Sequence, residues 1–334
     1  MKSNFSKYIK IYNLLEKDPE IRVKINEKLR LLIRSKVKLK FKSISKFAKF
    51  LGLRKSQIIF WITDSKRRTK AKFSMLIKIC NHLNISKEMV YNNIEGFSTQ
   101  GSYDTVYNLP KSVKVDDLLL QGIGLYVGDG YNKKGMRRIV FINNNEELIK
   151  FYINWLKTYM NVSSNQLSLY IYSNDLKEKQ VKNIFKLNLK RIKIYKAPPN
   201  NESNYKLMLS TAIYRRFLDL LIELSKNICR KNSNYAINYL KGIFAAEGCV
   251  HIPNVAVPQV FIEMKKGDDI NHVEELFKLI DVRYSKYNPR DINTKLCLYR
   301  EDQIRRFDEF ELASLNEDKQ NKLNRVIEIY NNRL

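Results

Sequence analysis

The chain carries one short pattern of small, apolar and acidic residues twice, and this duplication constrains its fold more than any other feature. "GIGLYVGDG" at residues 122–130 aligns with "LKGIFAAEG" at residues 240–248. Each copy has two small residues four positions apart, which are Gly124 and Gly128 in the first copy and Gly242 and Ala246 in the second. Each copy ends on an acid and a glycine, and the acids, Asp129 and Glu247, stand 118 positions apart. That spacing is about the length of one small domain.

The apolar spacing of both copies predicts two buried helices that pack on each other. Small residues at positions i and i+4 lie on one helix face and let two backbones approach closely. Such packing places the two C-terminal ends side by side, so we expect Asp129 and Glu247 to be neighbours across a pseudo-twofold axis. A carboxylate at a helix C-terminus opposes the partial negative charge there and costs stability. The glycine after each acid, Gly130 or Gly248, is expected to take the left-handed conformation that ends a helix.

The net charge indicates an anionic partner. Lys and Arg number 61 against 34 Asp and Glu, which gives a net charge of +27. Nucleic acid and acidic membrane surfaces are the usual partners of so basic a folded protein, and interleaved Tyr and Phe favour nucleic-acid grooves. No segment approaches the roughly 18 apolar residues of a membrane span, and the N-terminus has no signal-peptide pattern. We therefore expect a cytoplasmic protein, intracellular in a prokaryote or an organelle, with no membrane partner.

The acids are the only residues whose pattern suggests a metal site. The four cysteines form no CxxC pair and the three histidines form no cluster, so neither a disulfide framework nor a zinc site is predicted. Two carboxylates held together in a cationic protein suit a hard divalent cation, because Mg²⁺ favours one or two carboxylates with phosphate and water. Asp129 and Glu247 are thus the candidate ligands for Mg²⁺ or Mn²⁺.

The two motifs together resemble those of the LAGLIDADG homing endonucleases, over roughly residues 115–334. The second copy fits throughout, whereas the first departs at its start, where Gly122–Ile123 stands in place of Leu-Ala. The resemblance implies an α+β fold with two tandem αββαββα repeats, residues 115–232 and 233–334. The repeats would form a pseudo-twofold saddle on double-stranded DNA.

The resemblance also implies an activity, site-specific double-strand cleavage of a long asymmetric DNA target by Mg²⁺-dependent phosphodiester hydrolysis. Asp129 and Glu247 would bind the metal and direct water at the scissile phosphates, and the single chain would act as a monomer. Polar side chains near the acids order the water in this family, and the candidates here are Asn143, Lys265 and Lys206. Concave strand faces would contact DNA through Arg137, Tyr170, Tyr172, Lys190, Lys193, Arg283 and Lys286. Residues 183–199 are predicted to form an extra hairpin on the DNA.

Residues 1–97 are predicted to form a separate, all-α domain, and residues 98–114 a polar linker. The segment "SISKFAKFLGLRKSQIIFWI" has small, turn and anchor residues at the spacing of a helix-turn-helix, namely Ala48, Gly52 and Ile58. It is similar to the Cro/repressor type of domain, which implies a second helix in the major groove. The contacting residues would be Arg54, Lys55, Ser56 and Gln57. The basic run "DSKRRTKAK" that follows would contact the phosphate backbone.

Other functions stay open at this point. An intron RNA maturase uses the same scaffold and basic surface, with its host intron RNA as partner. A non-cutting transcription regulator would explain the helix-turn-helix equally well. A separate, structural interpretation takes the Asp-Gly and Glu-Gly pairs only as helix caps, and a glycine-rich nucleotide loop is a further interpretation of residues 122–130. Two intact acids favour the nuclease, because a protein that only binds gains nothing from carboxylates that face phosphates.

Overall fold

The structure is a computed structural model that describes residues 8–62, 70–99, 105–131, 135–174, 185, 189–198, 203–253, 257–289 and 292–332. The chain divides into two compact units. The N-terminal unit comprises Met1–Lys114 and Ala212–Phe217, and the C-terminal unit comprises Val115–Thr211 and Leu218–Leu334.

The N-terminal unit combines short helices with two small antiparallel sheets. Its helices are α1 (Ile11–Leu15), α2 (Glu27–Phe41), α3 (Ile44–Leu51), α4 (Lys55–Ile62), α5 (Phe73–His82) and α6 (Lys87–Asn92). Its strands are β1 (Tyr8–Lys10), β2 (Ile21–Ile25), β3 (Lys70–Lys72), β4 (Ile94–Thr99) and β5 (Ser112–Lys114). One sheet has the order β3-β2-β4, and β1 pairs with β5 in the other.

The prediction that residues 1–97 are wholly helical is wrong. β2 reads IRVKI, and its three branched residues are fully buried while the two basic residues between them are partly exposed. Alternate residues of a strand point to the same face, and branched side chains fit a strand better than a helix. This short alternation, which the helical interpretation overlooked, makes β2 the central strand of the sheet.

Residues 98–114 are not the linker that we predicted. Ser98 and Thr99 are buried at the end of β4, and β5 pairs with β1. Leu109 and Val113 are also buried. The described part of this segment therefore belongs to the N-terminal unit. Its polar composition misled the prediction, because a few apolar residues are enough to anchor it.

Helices α3 and α4 meet at the turn that the sequence indicates. α3 is followed by Gly52, whose φ of 67° lies in the left-handed region that favours glycine. Ala48 and Ile58, the residues expected at the crossing, are both buried. The role of this helix pair in DNA binding stays a prediction. Residues 63–69, which carry most of the basic run, lie outside the described residues.

The C-terminal unit contains two four-stranded sheets and the helices packed against them. Its helices are α7 (Asp117–Asp129), α8 (Glu146–Met160), α9 (Ala212–Cys229, in this unit from Leu218), α10 (Ser233–Glu247), α11 (Asp268–Leu279), α12 (Glu301–Glu309) and α13 (Glu317–Asn331). Its strands are β6 (Ile139–Asn143), β7 (Leu167–Tyr172), β8 (Arg191–Tyr195), β9 (Asn204–Leu209), β10 (Gly248–His251), β11 (Gln259–Lys265), β12 (Ser285–Tyr287) and β13 (Asn293–Leu298). The sheet orders are β6-β9-β7-β8 and β10-β11-β13-β12.

The two halves of this unit share the succession helix, strand, helix, two strands, helix and an arrangement of these three strands, to which the first half adds β8 and the second adds β10 and α13. Each half begins with a buried helix, and β6, β9 and β7 take the places that β11, β13 and β12 take in the second sheet. Gly130 forms a bridge with Phe141 of β6, just as Gly248 pairs with Ile262 of β11. The fold is therefore α+β, and both sheets consist mainly of antiparallel pairs.

Strand β8 gives the first sheet a feature of its own. Of residues 183–199, predicted as an extra hairpin, the structure describes residue 185 and residues 189–198. β8 lies within this range and runs parallel to β7, with Lys193 opposite Tyr170. It adds a fourth strand beside β7, where the second sheet ends at β12.

Helices α7 and α10 lie in the core of the C-terminal unit, and most of their residues are buried. The rings of Tyr126, Tyr152 and Trp155 form a stack over α7, with centroid separations of 5.7 and 5.4 Å.

Among the described residues, no helix has both the length and the apolar character needed to cross a bilayer.

Candidate functional site

Local capping defines where helices α7 and α10 begin. The Asp116 carboxylate accepts a hydrogen bond from the Leu119 N–H at 3.1 Å, and the Asn232 side chain accepts one from the Tyr235 N–H at 3.1 Å. Such caps satisfy amides that a helix start leaves without partners. Each cap sets the register of the apolar and small residues that follow.

The two helices contact each other backbone to backbone through their glycines. A Cβ atom on Gly124 would lie 2.1 Å from the Tyr239 carbonyl oxygen, and one on Gly242 would lie 2.0 Å from the Gln121 carbonyl oxygen. Non-bonded carbon and oxygen atoms need more than 3 Å, so no side chain fits at either place. The contacts are reciprocal, because Tyr239 follows Gln121 by the same 118 positions that separate the two glycines.

The contact continues toward the C-terminal ends of the helices. A Cβ atom on Gly128 would lie 2.4 Å from the Ala246 Cβ and 3.0 Å from the Glu247 Cγ. The structure thus brings together the four small residues expected at the helix interface. It also sets the Glu247 side chain against the last turn of α7, which ends at Asp129.

The glycines that follow the acids are not left-handed, so that expectation is wrong. Gly130 has a φ of −78° and Gly248 a φ of −79°, both extended conformations that any residue adopts. Space is the reason for glycine. A Cβ on Gly130 would lie 2.2 Å from the Tyr126 carbonyl oxygen, and one on Gly248 would lie 2.1 Å from the Phe244 ring.

Asp129 is held by an amide. Asn143, at the end of β6, donates a hydrogen bond from Nδ2 to Oδ2 of Asp129 at 2.5 Å. Burial raises the pKa of Asp129 to about 6, although Asn143 and the charge of Lys319 act in the opposite direction. Asn143, one of the three side chains expected to order water, is therefore in direct contact with an acid.

Glu247 shares this environment. Burial, followed by the negative charge of Asp129, raises the pKa of Glu247 to about 7, while Lys319 lowers it. The charge of Glu263 on β11 contributes in the same direction as Asp129. Each acid is therefore close enough to other charges for them to influence its ionisation.

Lys319 is a residue of this site that the sequence interpretation missed. Its ammonium donates hydrogen bonds to the carbonyls of Phe244, Ala245 and Ala246, at 3.0, 2.7 and 3.0 Å. Burial lowers the pKa of Lys319 to about 8, against the attraction of Asp129. Lys319 lies 72 positions after Glu247 in a helix outside the motif, and its pairing with α10 depends on tertiary structure alone.

Each sheet carries a tyrosine opposite a lysine at the same place in its register. Tyr170 is opposite Lys206 on β9, and Tyr287 is opposite Lys295 on β13. The Lys295 Nζ lies 3.3 Å from the centroid of the Phe261 ring. Sequence interpretation found Tyr170 and Lys206 and missed the other pair. The matching strand sequences NYKLML and NTKLCL were the signal that could have shown it.

The other predicted sheet residues are placed unevenly. Tyr172 and Lys193 are exposed on the same face as Tyr170, and the Tyr172 ring stacks on Tyr195 with centroids 5.3 Å apart. Lys265 is exposed at the end of β11. Three more predicted residues are exposed but lie just outside the strands, namely Arg137, Lys190 and Arg283.

Lys286 was assigned to the wrong face. Its Nζ pairs with Oε1 of Glu274 in α11 at 2.7 Å, so it points toward the helices. Ser285 and Tyr287 take the opposite face of β12. A shift of one residue in a strand exchanges its two faces, and this is the error made here.

The residues predicted to contact DNA from the first turn of α4 and the position before it are all exposed, and they are Arg54, Lys55, Ser56 and Gln57. The Gln57 Oε1 accepts a hydrogen bond from the Arg54 N–H at 3.1 Å, which fixes the start of the helix. These side chains are exposed, whereas the next residue, Ile58, is buried in the apolar core.

The acid pair fits a divalent cation that takes its remaining ligands from phosphate and water. Within the described ranges, no group of three or more His, Cys, Asp or Glu side chains is arranged to hold a metal. Asp129 and Glu247 provide hard oxygen donors, which match Mg²⁺ and Mn²⁺. Burial raises the pKa of both carboxyl groups, so a cation that favours their ionised form would relieve an existing electrostatic cost.

The sequence matches no protein-family model and no curated protein sequence. Among solved structures, the chain is similar to full-length DUF199/WhiA from Thermatoga maritima, with a TM-score of 0.41 and 14% identity over 65% of this chain and 61% of that one. It is also similar to I-DmoI in complex with DNA and Mn, with a TM-score of 0.37 and 20% identity over 59% of this chain and 97% of that one. The N-terminal LAGLIDADG domain of DUF199/WhiA gives a TM-score of 0.36 and 13% identity over 58% of this chain and 81% of that one. The chain thus spans less than two thirds of full-length WhiA.

Proposed function

We propose that this chain is a LAGLIDADG-type endonuclease that makes a double-strand break at a specific DNA site with Mg²⁺ or Mn²⁺. One observation carries the proposal. Asp129 and Glu247 end two helices that meet through reciprocal glycine contacts, at 2.1 and 2.0 Å for the missing Cβ atoms. Half-buried acids at the negative ends of two helices cost stability, so a chemical role is the better explanation for them.

The two halves of the C-terminal unit support the proposal. They repeat the succession helix, strand, helix, two strands, helix, one arrangement of these strands and one tyrosine–lysine register. We take them as tandem repeats related by a pseudo-twofold axis between α7 and α10. Each repeat then contributes one acid to one DNA strand, and the exposed sheet faces straddle the duplex. Because β8 and the side chains differ between the halves, the target is asymmetric and one chain suffices.

The protein residues have distinct tasks in this reaction. Asp129 and Glu247 hold the metal, which supplies positive charge to the scissile phosphate and the leaving oxygen when bound. The Asn143 amide orients the Asp129 carboxylate by its 2.5 Å hydrogen bond. Lys206 and Lys295 stand at equivalent, half-buried positions of the two sheets, where their ammonium groups contact the phosphate backbone or hold a water. Residues of α4 add affinity from the N-terminal unit by major-groove contacts.

A second candidate, a non-cutting DNA-binding regulator, is favoured by Lys319. Its ammonium already provides positive charge near both acids. An acid pair with a resident cation can persist as a purely structural feature. The basic sheet faces and the α3–α4 pair would then bind DNA without hydrolysis.

Cleavage-site selection separates the two candidates. The protein is incubated with a randomised or genomic DNA library in Mg²⁺ or Mn²⁺, and cleaved ends are captured and sequenced. The nuclease gives recurrent ends at one long asymmetric site, and these ends disappear with Asp129→Asn or Glu247→Gln. Recurrent binding of one sequence without cut ends supports the regulator, and cutting that persists in either variant refutes the assignment of the acids.

A further inference from the structure

Lys319 is held at the last turn of α10 by every donor that it has. An ammonium has three N–H donors and no acceptor, and Lys319 directs them at the carbonyls of Phe244, Ala245 and Ala246. These three residues directly precede Glu247. The Phe244 carbonyl also accepts a hydrogen bond from the Gly248 N–H, whereas the carbonyls of Ala245 and Ala246 belong to the helix end, where carbonyls have no partner within the helix. Positive charge at this end also opposes the helix dipole.

The start of α13 is built around the same contact. Asn316 accepts a hydrogen bond from the Lys319 N–H at 3.3 Å, and its Nδ2 donates one to the Ala245 carbonyl at 3.4 Å. Asn316 is itself buried. The first turn of α13 therefore docks on the last turn of α10, with the positive end of one helix dipole on the negative end of the other.

The first half supports its acid differently. α9 leads into α10 after residues 230–232, so no helix equivalent to α13 follows it. Asp129 is held by the amide of Asn143 instead. Ile262 of the second sheet is equivalent to Phe141 of the first, because each pairs with the glycine after its acid. Two residues further along the strand, the residue equivalent to Asn143 is therefore Met264. A methionine cannot donate to a carboxylate, so Glu247 lacks the support that Asp129 has.

We infer that Lys319 is a positioning residue for Glu247, an inference that rests on the proposed nuclease function. The ammonium fixes the last turn of α10 and places a positive charge beside the acid pair. Its donors are all on carbonyls, so it donates to neither acid and acts through the position of Glu247 and through its charge. Removal of Lys319 should therefore loosen the end of α10. It should also strengthen cation binding, because the acids lose a competing positive charge.

Two measurements on metal-free and metal-loaded full-length protein, without DNA, test this inference. Lys319→Met keeps a long side chain and removes the charge and the donors. Lys322→Met removes an exposed positive charge from the same helix and leaves the carbonyl contacts in place. Hydrogen exchange at residues 244–250 should be on the order of tenfold faster in Lys319→Met. The Kd for Mn²⁺ by calorimetry should be roughly tenfold lower. Lys322→Met should change each by less than about twofold.

Simple loss of structure would weaken Mn²⁺ binding, so faster exchange combined with tighter binding identifies the positioning role. Lys319→Arg keeps the charge, but a planar guanidinium cannot direct three donors at three convergent carbonyls. It should speed exchange without tightening Mn²⁺ binding. Unchanged exchange in Lys319→Met, or a Kd equal to or above that of the wild type, overturns the inference. If the wild-type protein neither binds Mn²⁺ nor cuts DNA, the proposed function fails, and the exchange rates alone decide whether Lys319 holds Glu247.

Discussion

Replacement of Gly242 by alanine tests the helix contact with a single methyl group. In an exposed helix, alanine in place of glycine stabilises the helix by about 1 kcal/mol. Here the new Cβ would lie 2.0 Å from the Gln121 carbonyl oxygen and 2.5 Å from the Leu125 nitrogen. Both are backbone atoms that cannot rotate away. The helices must separate by about 1.4 Å before the carbon and oxygen reach an ordinary contact distance near 3.4 Å.

The expected loss of stability follows from these distances. Overpacking of a core costs roughly 1–3 kcal/mol, and displacement of two backbones belongs at the upper end of that range. After the gain in helix propensity is subtracted, Gly242→Ala should lower the free energy of unfolding by about 2 kcal/mol. For a unit of this size, that corresponds to a Tm lower by roughly 4–8 °C. Urea denaturation and thermal melts in EDTA measure both quantities.

A methyl swap at the next contact gives the control. Gly128→Ala places a Cβ 2.4 Å from the Ala246 Cβ, and Ala246→Gly removes that obstacle. Gly128→Ala alone should destabilise the protein, and the double variant should recover most of the loss, as a favourable coupling energy in a double-mutant cycle. A Tm for Gly242→Ala that equals or exceeds the wild-type value, or a double variant no better than Gly128→Ala, would refute the helix contact.

Three further outcomes are expected. Asp129→Asn or Glu247→Gln should abolish double-strand cleavage in a gel assay while DNA affinity in gel shifts stays near normal or rises slightly, because removal of charge loses the metal and relieves repulsion from phosphate. In EDTA the folded-state pKa values of these acids, about 6 and 7, exceed the unfolded values of 3.8 and 4.5, so folded protein retains protons and stability falls as pH rises from about 4 to 7. Relative to the double variant Asp129→Asn/Glu247→Gln, the wild type should lose a few kcal/mol of unfolding free energy over that pH range, at about 1.4 kcal/mol per unit of pKa difference. Urea denaturation at each pH measures this loss. Unfolding free energies that change with pH in parallel for the two proteins would contradict it. Arg54→Ala with Lys55→Ala should weaken DNA binding and lower the slope of log K against log salt by about 0.9 per lost phosphate contact, whereas an unchanged slope would exclude α4 from the interface.

The helix pair and its acids could be predicted because their signals are local. Small residues four apart fix which helix face is close-packed, and the duplication shows that the partner lies in the same chain. The order of strands around each helix follows from alternating apolar segments. The face of the sheet on which each strand residue lies is harder to predict, as Lys286 shows. Its strand is only three residues long, and the face is decided by the ion pair with Glu274 and by the position opposite the buried Leu296.

The parts that the sequence did not show depend on contacts between distant segments. Strand β2 is five residues long between helical segments, so a helical interpretation dominates until β3 and β4 are seen to pair with it. Lys319 stands in an ordinary polar helix, and nothing near it indicates burial. Gly130 and Gly248 have a steric cause in the rings of Tyr126 and Phe244, one turn earlier. The expectation that these two glycines adopt a left-handed conformation was therefore wrong.

The residues that support Asp129 and Glu247 help to explain why the fold keeps two acids at this place. Burial and mutual repulsion raise the pKa of Glu247, and burial raises that of Asp129. Each ionised carboxylate therefore destabilises the metal-free fold near neutral pH. Asn143 contacts one acid and Lys319 secures the helix that ends at the other, and these two supports come from different elements of the fold. Amides at both positions would remove both charges and the need to compensate them. Because the fold keeps two destabilising negative charges and gives each a separate support, we propose that a divalent cation offsets both charges, as the proposed metal site requires.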